Sequence, residues 1–231
     1  MMIKQHTFVS RDELDLAFAK QIAQQLSDAI SVKGYASIAF SGGSTPKGLF
    51  THLSNMPLDW SNVTITLVDD RWVDTDSKDS NDRLLRENLL KNKAVKARFF
   101  SLKQASQLTA EYLNTLTAQA QQFMPLDVVI LGMGEDGHTA SIFPCSEQVE
   151  QGLDANNAPC LMKTVPTTAP YERVTFNFSA LINAAHLYLH LVGDAKQQVL
   201  QSALANNNAI EMPIRAFLHH QDKACEIFWA E

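Results

Sequence analysis

Glu135, Asp136 and His138 sit on a glycine-punctuated turn inside DVVILGMGEDGHTASIFP, residues 127–144, directly after a buried-strand-like apolar run. A histidine two residues from an aspartate suits acid–base chemistry. Imidazoles as a class titrate near neutrality, and a carboxylate can orient the ring and stabilise its protonated form. A second stretch suits an anion. In Ser41-Gly42-Gly43-Ser44-Thr45-Pro46, adjacent glycines let backbone N–H groups turn toward one point, Ser44 and Thr45 add hydroxyls, and Pro46 suits a helix start. Phosphate is the natural occupant, although a tight turn with a serine or threonine cap is the alternative. GGSTPKG lacks the G-x-x-x-x-G-K-[ST] spacing, so a nucleotide is not implied. In Asp69-Asp70-Arg71-Trp72 the guanidinium either pairs with the aspartates or binds an anionic substrate through its planar fork. Lys196, in a first helical turn after Gly193-Asp194, is placed either for a phosphate or for solvent.

Gly132, Gly134 and Gly137 also spell G-x-G-x-x-G. That pattern belongs in a βαβ unit of about 30 residues with an acidic residue about 20 positions on. Here it lies past the middle of the chain, and residues 145–160 have no clean helical period, so a nicotinamide cofactor is not expected. No metal is expected either, because Glu135, Asp136, His138 and the His219-His220 pair show no H-E-x-x-H or comparable spacing. Cys145, Cys160 and Cys225 are odd in number and share no C-x-x-C, against a disulfide framework or zinc site.

These residues need elements to hold them. Tyr35–Phe40, Val63–Val68 and His186–Val192 read as strands, and polar turns at 41–46, 69–72, 132–138 and 193–196 each follow a strand-like run. HTFVS near the N-terminus, Arg173–Phe178 and Cys225–Ala230 read as further strands, with His186 and His190 on strand faces. Ser10 and Glu13 form a capping box before Leu14, Phe18, Ile22, Leu26 and Ile30, an amphipathic helix ending near Gly34. Ser80 caps a helix containing Leu84, Leu85, Leu89 and Leu90; Leu108, Tyr112, Leu116 and Ala120 mark another; Asp194 caps a third. Thr139–Phe143 can start a helix, which would set its dipole beside His138, and Ser179–Ala185 can form a short one. Pro166 and Pro170 mark an irregular connection. Strands alternating with helices imply a mostly parallel sheet covered on both faces, whose strand C-termini share one edge. The four turns can therefore converge.

At 231 residues, with 45% hydrophobic and 19% charged residues, the chain is expected to form one α/β domain over 1–231. A net charge of −6 argues against a nucleic-acid surface, so an anionic ligand needs lysine and arginine concentrated in its site. MMIKQHTFVS has no signal-peptide run, and no apolar stretch approaches the roughly 18 residues that span a bilayer. A cytoplasmic protein without a membrane partner is expected.

Taken together, these turns make the chain similar to the 6-phosphogluconolactonase family, within the wider glucosamine-6-phosphate isomerase/deaminase superfamily, over nearly its full length. The resemblance rests on SGGSTP at 41–46, DDRWV with SN at 80–81, GMGEDGHTASIFP at 132–144, the Arg173 strand and GDAK at 193–196. It implies a three-layer α/β/α sandwich with a Rossmann-like sheet, no metal and no dissociable cofactor; no obligate protein partner is evident in the sequence. The implied activity is hydrolysis of a sugar-phosphate lactone in the oxidative pentose phosphate pathway. Gly42, Gly43, Ser44, Thr45 and Lys196 would hold the phosphate, and His138 with Asp136 would act on the lactone. Arg71 and Arg173 would contact anionic groups or the transition state, with Asp69 a further substrate contact. Two positions depart from the family pattern: Asp70 stands where glutamate is more common, and Cys145 where glycine often follows FP. Because a lactone is an activated ester, no covalent nucleophile is needed, and Ser141 is expected to be structural. The nearest rival is a sugar-phosphate isomerase/deaminase, in which Asp69 or Asp70 takes a proton from C2 and His138 assists ring opening. HTASIFP and the SN pair favour the lactonase. A sugar-phosphate-sensing domain would call for a basic helix-turn-helix segment, and none is evident.

Overall fold

A computed structural model describes residues 4–231. In chain order the elements are β1 (Gln5–Phe8), α1 (Arg11–Lys33), β2 (Ala36–Phe40), α2 (Lys47–Leu53), β3 (Val63–Leu67), β4 (Asp69–Arg71), α3 (Asn81–Asn88), β5 (Arg98–Phe100) and α4 (Ala110–Ala120). They continue through β6 (Val128–Leu131), α5 (Val149–Leu153), β7 (Leu161–Thr164), β8 (Arg173–Phe176), α6 (Phe178–Ile182), β9 (His186–Val192), α7 (Asp194–Leu204), α8 (Ile214–Leu218) and β10 (Cys225–Ala230). Seven strands form an all-parallel sheet in the order β1-β10-β9-β6-β2-β3-β5, flanked by helices in a three-layer α/β/α arrangement.

The sheet is held by helices whose ends are written into the sequence. At the start of α1, Ser10 Oγ accepts the Glu13 N–H; at its end, Gly34 takes φ 82° and donates its N–H to the Ile30 carbonyl at 2.8 Å. Between them Leu14, Phe18, Ile22 and Leu26 are completely buried. Phe18 stacks on Phe228 of β10, with centroids 4.1 Å apart, and meets Tyr188 of β9 edge-on. Each such fully buried side chain contributes about 1.5–3 kcal/mol. Ser80 caps α3 as expected, but the N-cap of α7 is Gly193 at φ 93°, with Asp194 in the first turn. No helix among the described residues is long and apolar enough to cross a membrane.

From β2 the chain proceeds to β3 and β5 on one side, while β6, β9 and β10 build the other. The crevice between the adjacent strands β2 and β6 is thus the point where the winding reverses, and ligands of open α/β sheets sit outside the strand C-termini at such a point. The Ser41–Pro46 loop leaves β2 there, and the Gly132–His138 turn leaves β6. One side chain joins the two: Ser41 Oγ accepts the Gly132 N–H at 2.9 Å.

Two further expectations need correction. The Arg173 strand and the Asp69–Arg71 segment do not join the parallel sheet or remain a turn. They pair with each other, and with β7, in a separate antiparallel sheet ordered β4-β8-β7. Residues 165–172 are too few for a parallel crossover, which takes about a dozen or more, so β7 and β8 can pair only antiparallel. Nor do Thr139–Phe143 start a helix. Ala140 sits at φ 49°, Thr139 bridges Ile142, and the Ser141 N–H is taken by Thr175 Oγ1 at 3.2 Å, so no helix dipole faces His138.

Asp15, on the buried face of α1, is 1% exposed. Burial pushes its carboxyl up to about 6, against the pull of the Arg11 charge. A carboxyl whose folded pKa exceeds its unfolded value of about 4 binds its proton more tightly in the folded state. Stability is therefore gained as pH falls through 6 and is complete only below about 4. Lowering pH from about 7 to about 5 should strengthen the fold by on the order of 1–2 kcal/mol from this group. Urea midpoints across that window check it: buried His190, held neutral, pulls the other way, so the change from about pH 7 to about pH 5 should be more favourable in the native chain than in Asp15→Asn. A parallel pH response in both proteins would contradict this.

Candidate active site

One cavity of about 270 Å³ opens at the crevice, and its walls include the Ser41–Pro46 loop, Asp69, Arg71, Asn81, Gly132–Gly134, His138, Arg173 and Lys196. Most of the residues singled out from sequence therefore meet in one place, brought there by β2, β4, β6, β8 and the first turn of α7.

His138 is fixed from two sides. Its Nδ1 lies 2.5 Å from Asp136 Oδ1, and its ring stacks on Phe143 with centroids 4.0 Å apart. Burial pushes the Asp136 carboxyl up, but the hydrogen bond and charge of His138 outweigh it and hold the pKa below the usual value. An ionised Asp136 accepts from Nδ1–H, which leaves Nε2 as the ring nitrogen with a free lone pair. Gly134 makes this arrangement possible: a Cβ there would lie 2.1 Å from His138 Nδ1. Its N–H also donates to the His138 carbonyl at 2.8 Å, closing the turn.

The cations of the cavity are not tied to carboxylates by direct contact. Neither Arg71 nor Arg173 forms an ion pair with a carboxylate among the described residues. Arg71 donates from Nη1 to the Asp79 carbonyl at 2.8 Å, which decides against a simple Arg71–aspartate bridge. Arg173 stands opposite Arg71 in the β4–β8 register and donates to the Pro170 carbonyl at 3.0 Å. Its Nε is buried without a partner, and burial together with the neighbouring Arg71 charge lowers its pKa. Two guanidiniums held this close, one with an orphaned donor, form a ready site for negative charge. Lys196 donates from Nζ to the Met133 carbonyl at 2.9 Å and likewise has no carboxylate partner among the described residues.

Asp69 and Asp70 divide in role. Asp69 lines the cavity and accepts the Ser141 hydroxyl at Oδ2, 2.5 Å away. Asp70 turns away into α3, where Oδ1 accepts the Asn81 N–H at 2.7 Å and Oδ2 the Asp82 N–H at 3.0 Å. Burial raises the Asp70 carboxyl to about 6 despite these bonds.

The family model of glucosamine-6-phosphate isomerases/6-phosphogluconolactonase matches residues 9–229. The chain belongs to this family. A relative from Rhizobium meliloti named 6-phosphogluconolactonase is 44% identical over 232 residues, covering 100% of both chains. One of the same name from Pseudomonas putida is 41% identical, covering 98% of this chain and 93% of its own. Among solved structures, a 6-phosphogluconolactonase from Shewanella baltica superposes with a TM-score of 0.94 at 42% identity, covering 100% of this chain and 98% of its own.

Within the family frame, the two departures noted in the sequence lie outside the cavity walls. Asp70 serves α3, and Cys145 Sγ rests 3.3 Å from Thr168 Oγ1. All three cysteines are unpaired thiols. Three contributors carried no assigned role in the sequence reading. Asn81 lines the cavity and donates from Nδ2 to the Asp69 carbonyl at 3.0 Å; its SN motif flagged the position but not this bond. Tyr171, at φ 72°, donates its hydroxyl to Asp79 Oδ2 at 3.0 Å. It walls an adjoining cavity of about 340 Å³ that shares Arg71, His138 and Arg173 with the first. His190 was placed only on a strand face, yet it is 3% exposed and lines the cavity floor. No local pattern signals these, because each depends on contacts between distant segments.

Proposed function

We propose that this protein hydrolyses 6-phospho-D-glucono-1,5-lactone to 6-phosphogluconate, the lactone-opening step of the oxidative pentose phosphate pathway. What supports the reading is that one cavity is lined both by an imidazole oriented by a carboxylate and by the Gly42–Thr45 loop and Lys196, whose N–H groups and ammonium suit a phosphate. A phosphorylated lactone has the matching two ends.

In this mechanism His138 Nε2 takes a proton from water as the oxygen attacks C1, and Asp136 stabilises the imidazolium that forms. Arg71, with Arg173 beside it, balances the oxyanion of the tetrahedral intermediate. Collapse breaks the bond from C1 to the ring oxygen, and His138 returns its proton to that oxygen as it leaves. The products are a carboxylate at C1, which releases one proton to solvent, and a free hydroxyl at C5. Asp69, held by Ser141, is left to accept from a substrate hydroxyl. Ser141 is fully buried with its hydroxyl committed to Asp69, so attack by water is favoured over a serine acyl-enzyme. Gly42, Gly43, Ser44, Thr45 and Lys196 bind the phosphate.

The isomerase/deaminase alternative uses the same imidazole but needs a carboxylate over C2. Incubation with the phosphorylated lactone should release acid, and incubation with glucosamine 6-phosphate should release no ammonia. Ammonia release at a rate comparable to acid release would overturn the lactonase reading.

A further inference from the structure

The rear of the anion loop is occupied by a charged pair that the chemistry above does not use. Arg11 opens α1, and a cation in a first helical turn opposes the helix dipole, so α1 itself gives no reason for it. Its guanidinium reaches across to the loop, where Nη2 donates to the Ser44 carbonyl at 2.8 Å and to the Thr45 carbonyl at 2.8 Å. One turn further along α1, Asp15 Oδ2 lies 3.6 Å from Arg11 Nε. That carboxylate sits tightly against the first turn of α2: a Cβ at Gly48 would lie 1.9 Å from Asp15 Oδ2. On its other side, Asp15 Oδ1 is 3.5 Å from Nε2 of His190, whose pKa burial and the Arg11 charge push down to about 3. His190 is thus neutral, and Arg11 is the nearest charge partner of Asp15.

The loop carbonyls and the loop N–H groups are treated differently. The carbonyls of Ser44 and Thr45 are held from behind. No protein acceptor among the described residues takes the N–H of Gly42, Gly43, Ser44 or Thr45. A phosphate is repelled by carbonyl oxygens and attracted by N–H groups, so a loop that binds it must keep the first turned out and the second free.

We infer that Arg11, anchored by Asp15, is a positioning residue of the phosphate subsite: by holding the Ser44 and Thr45 carbonyls behind the loop, it keeps the loop N–H groups presented to the substrate phosphate. Arg11 does not itself touch substrate. Its effect falls chiefly on phosphate recognition, because the groups assigned to the lactone are carried by β4, β8 and the turn after β6. The inference rests on the reading of the Gly42–Thr45 loop as a phosphate site.

The test is steady-state kinetics of the wild type, Arg11→Ala, Arg11→Lys and Asp15→Asn on 6-phosphogluconolactone and on unphosphorylated glucono-1,5-lactone. Arg11→Ala should raise KM for the phosphorylated lactone about tenfold to a hundredfold with kcat within about threefold, and leave the neutral lactone within about twofold. Arg11→Lys, which keeps the charge, should recover part of the loss. Asp15→Asn, nearly isosteric, should show a smaller rise of the same kind and provides the readout if Arg11→Ala folds poorly. If the wild type prefers the phosphorylated lactone and the variants keep that preference, the inference is wrong while the phosphate loop stands. Equal losses on both substrates make Arg11 a structural residue and overturn the inference. If the wild type shows no preference, the phosphate-loop reading fails and the inference fails with it.

Discussion

Asparagine in place of His138 should lower kcat on 6-phosphogluconolactone at least about a hundredfold with little change in KM, since general-base assistance is worth roughly a hundred- to ten-thousand-fold. Asparagine retains a side-chain N–H for Asp136 but has no nitrogen that titrates, so it isolates proton transfer from orientation. The geometry puts His138 in the best-defined position of the site: 2.5 Å from Asp136 Oδ1, stacked on Phe143, and packed over the bare Cα of Gly134. A ring held this firmly need not reorganise as charge develops, which is where preorganised sites gain over water. Initial rates at saturating lactone, corrected for spontaneous hydrolysis, give the comparison. A kcat within a few-fold of wild type would transfer the base role elsewhere.

Lys196→Ala should remove most of the preference for the phosphorylated lactone over glucono-1,5-lactone. Charge-assisted hydrogen bonds contribute about 1.5–3 kcal/mol each, so the loop and Lys196 together should favour the phosphorylated substrate roughly a hundredfold or more in kcat/KM. The ammonium has only the Met133 carbonyl as a partner and no carboxylate among the described residues, so its charge is available to substrate. The Met133 contact also ties Lys196 to the turn that carries His138. That link sets the decisive control: kcat/KM for the neutral lactone should stay near wild type. If the neutral lactone suffers equally, Lys196 acts through Met133 on the catalytic turn, and the phosphate assignment is wrong.

The parts of the candidate site that were legible in the sequence are those built from one short stretch. The Asp136/His138 pair, the Gly42–Thr45 loop and Lys196 each combine a strand end with a turn, and parallel sheets gather strand ends at one edge. The Ser10 N-cap and the apolar stripe from Leu14 to Leu26 likewise need only local information. What escaped the sequence depends on distant pairing. The short strands β5 and β7 lack an alternating run long enough to show, and the β4-β8-β7 sheet arises only once residues 165–172 fold back. Thr139–Phe143 has helix-compatible residues, yet Ser141 is drawn to Asp69 and Thr175, and those tertiary bonds override local preference. Arg11, between Ser10 and Glu13, carries no local sign of its contacts, because its acceptors, Ser44 and Thr45, lie on a different element.

The central claim is that this cavity opens a phosphorylated sugar lactone by water attack. Its most direct test is acid release from freshly generated 6-phosphogluconolactone, measured with and without the protein so that spontaneous hydrolysis can be subtracted. The account predicts a saturable acceleration proportional to protein concentration and at least about a hundredfold weaker in His138→Asn. A rate no greater than spontaneous hydrolysis, or a His138→Asn variant that keeps an acceleration within a few-fold of wild type, would contradict it.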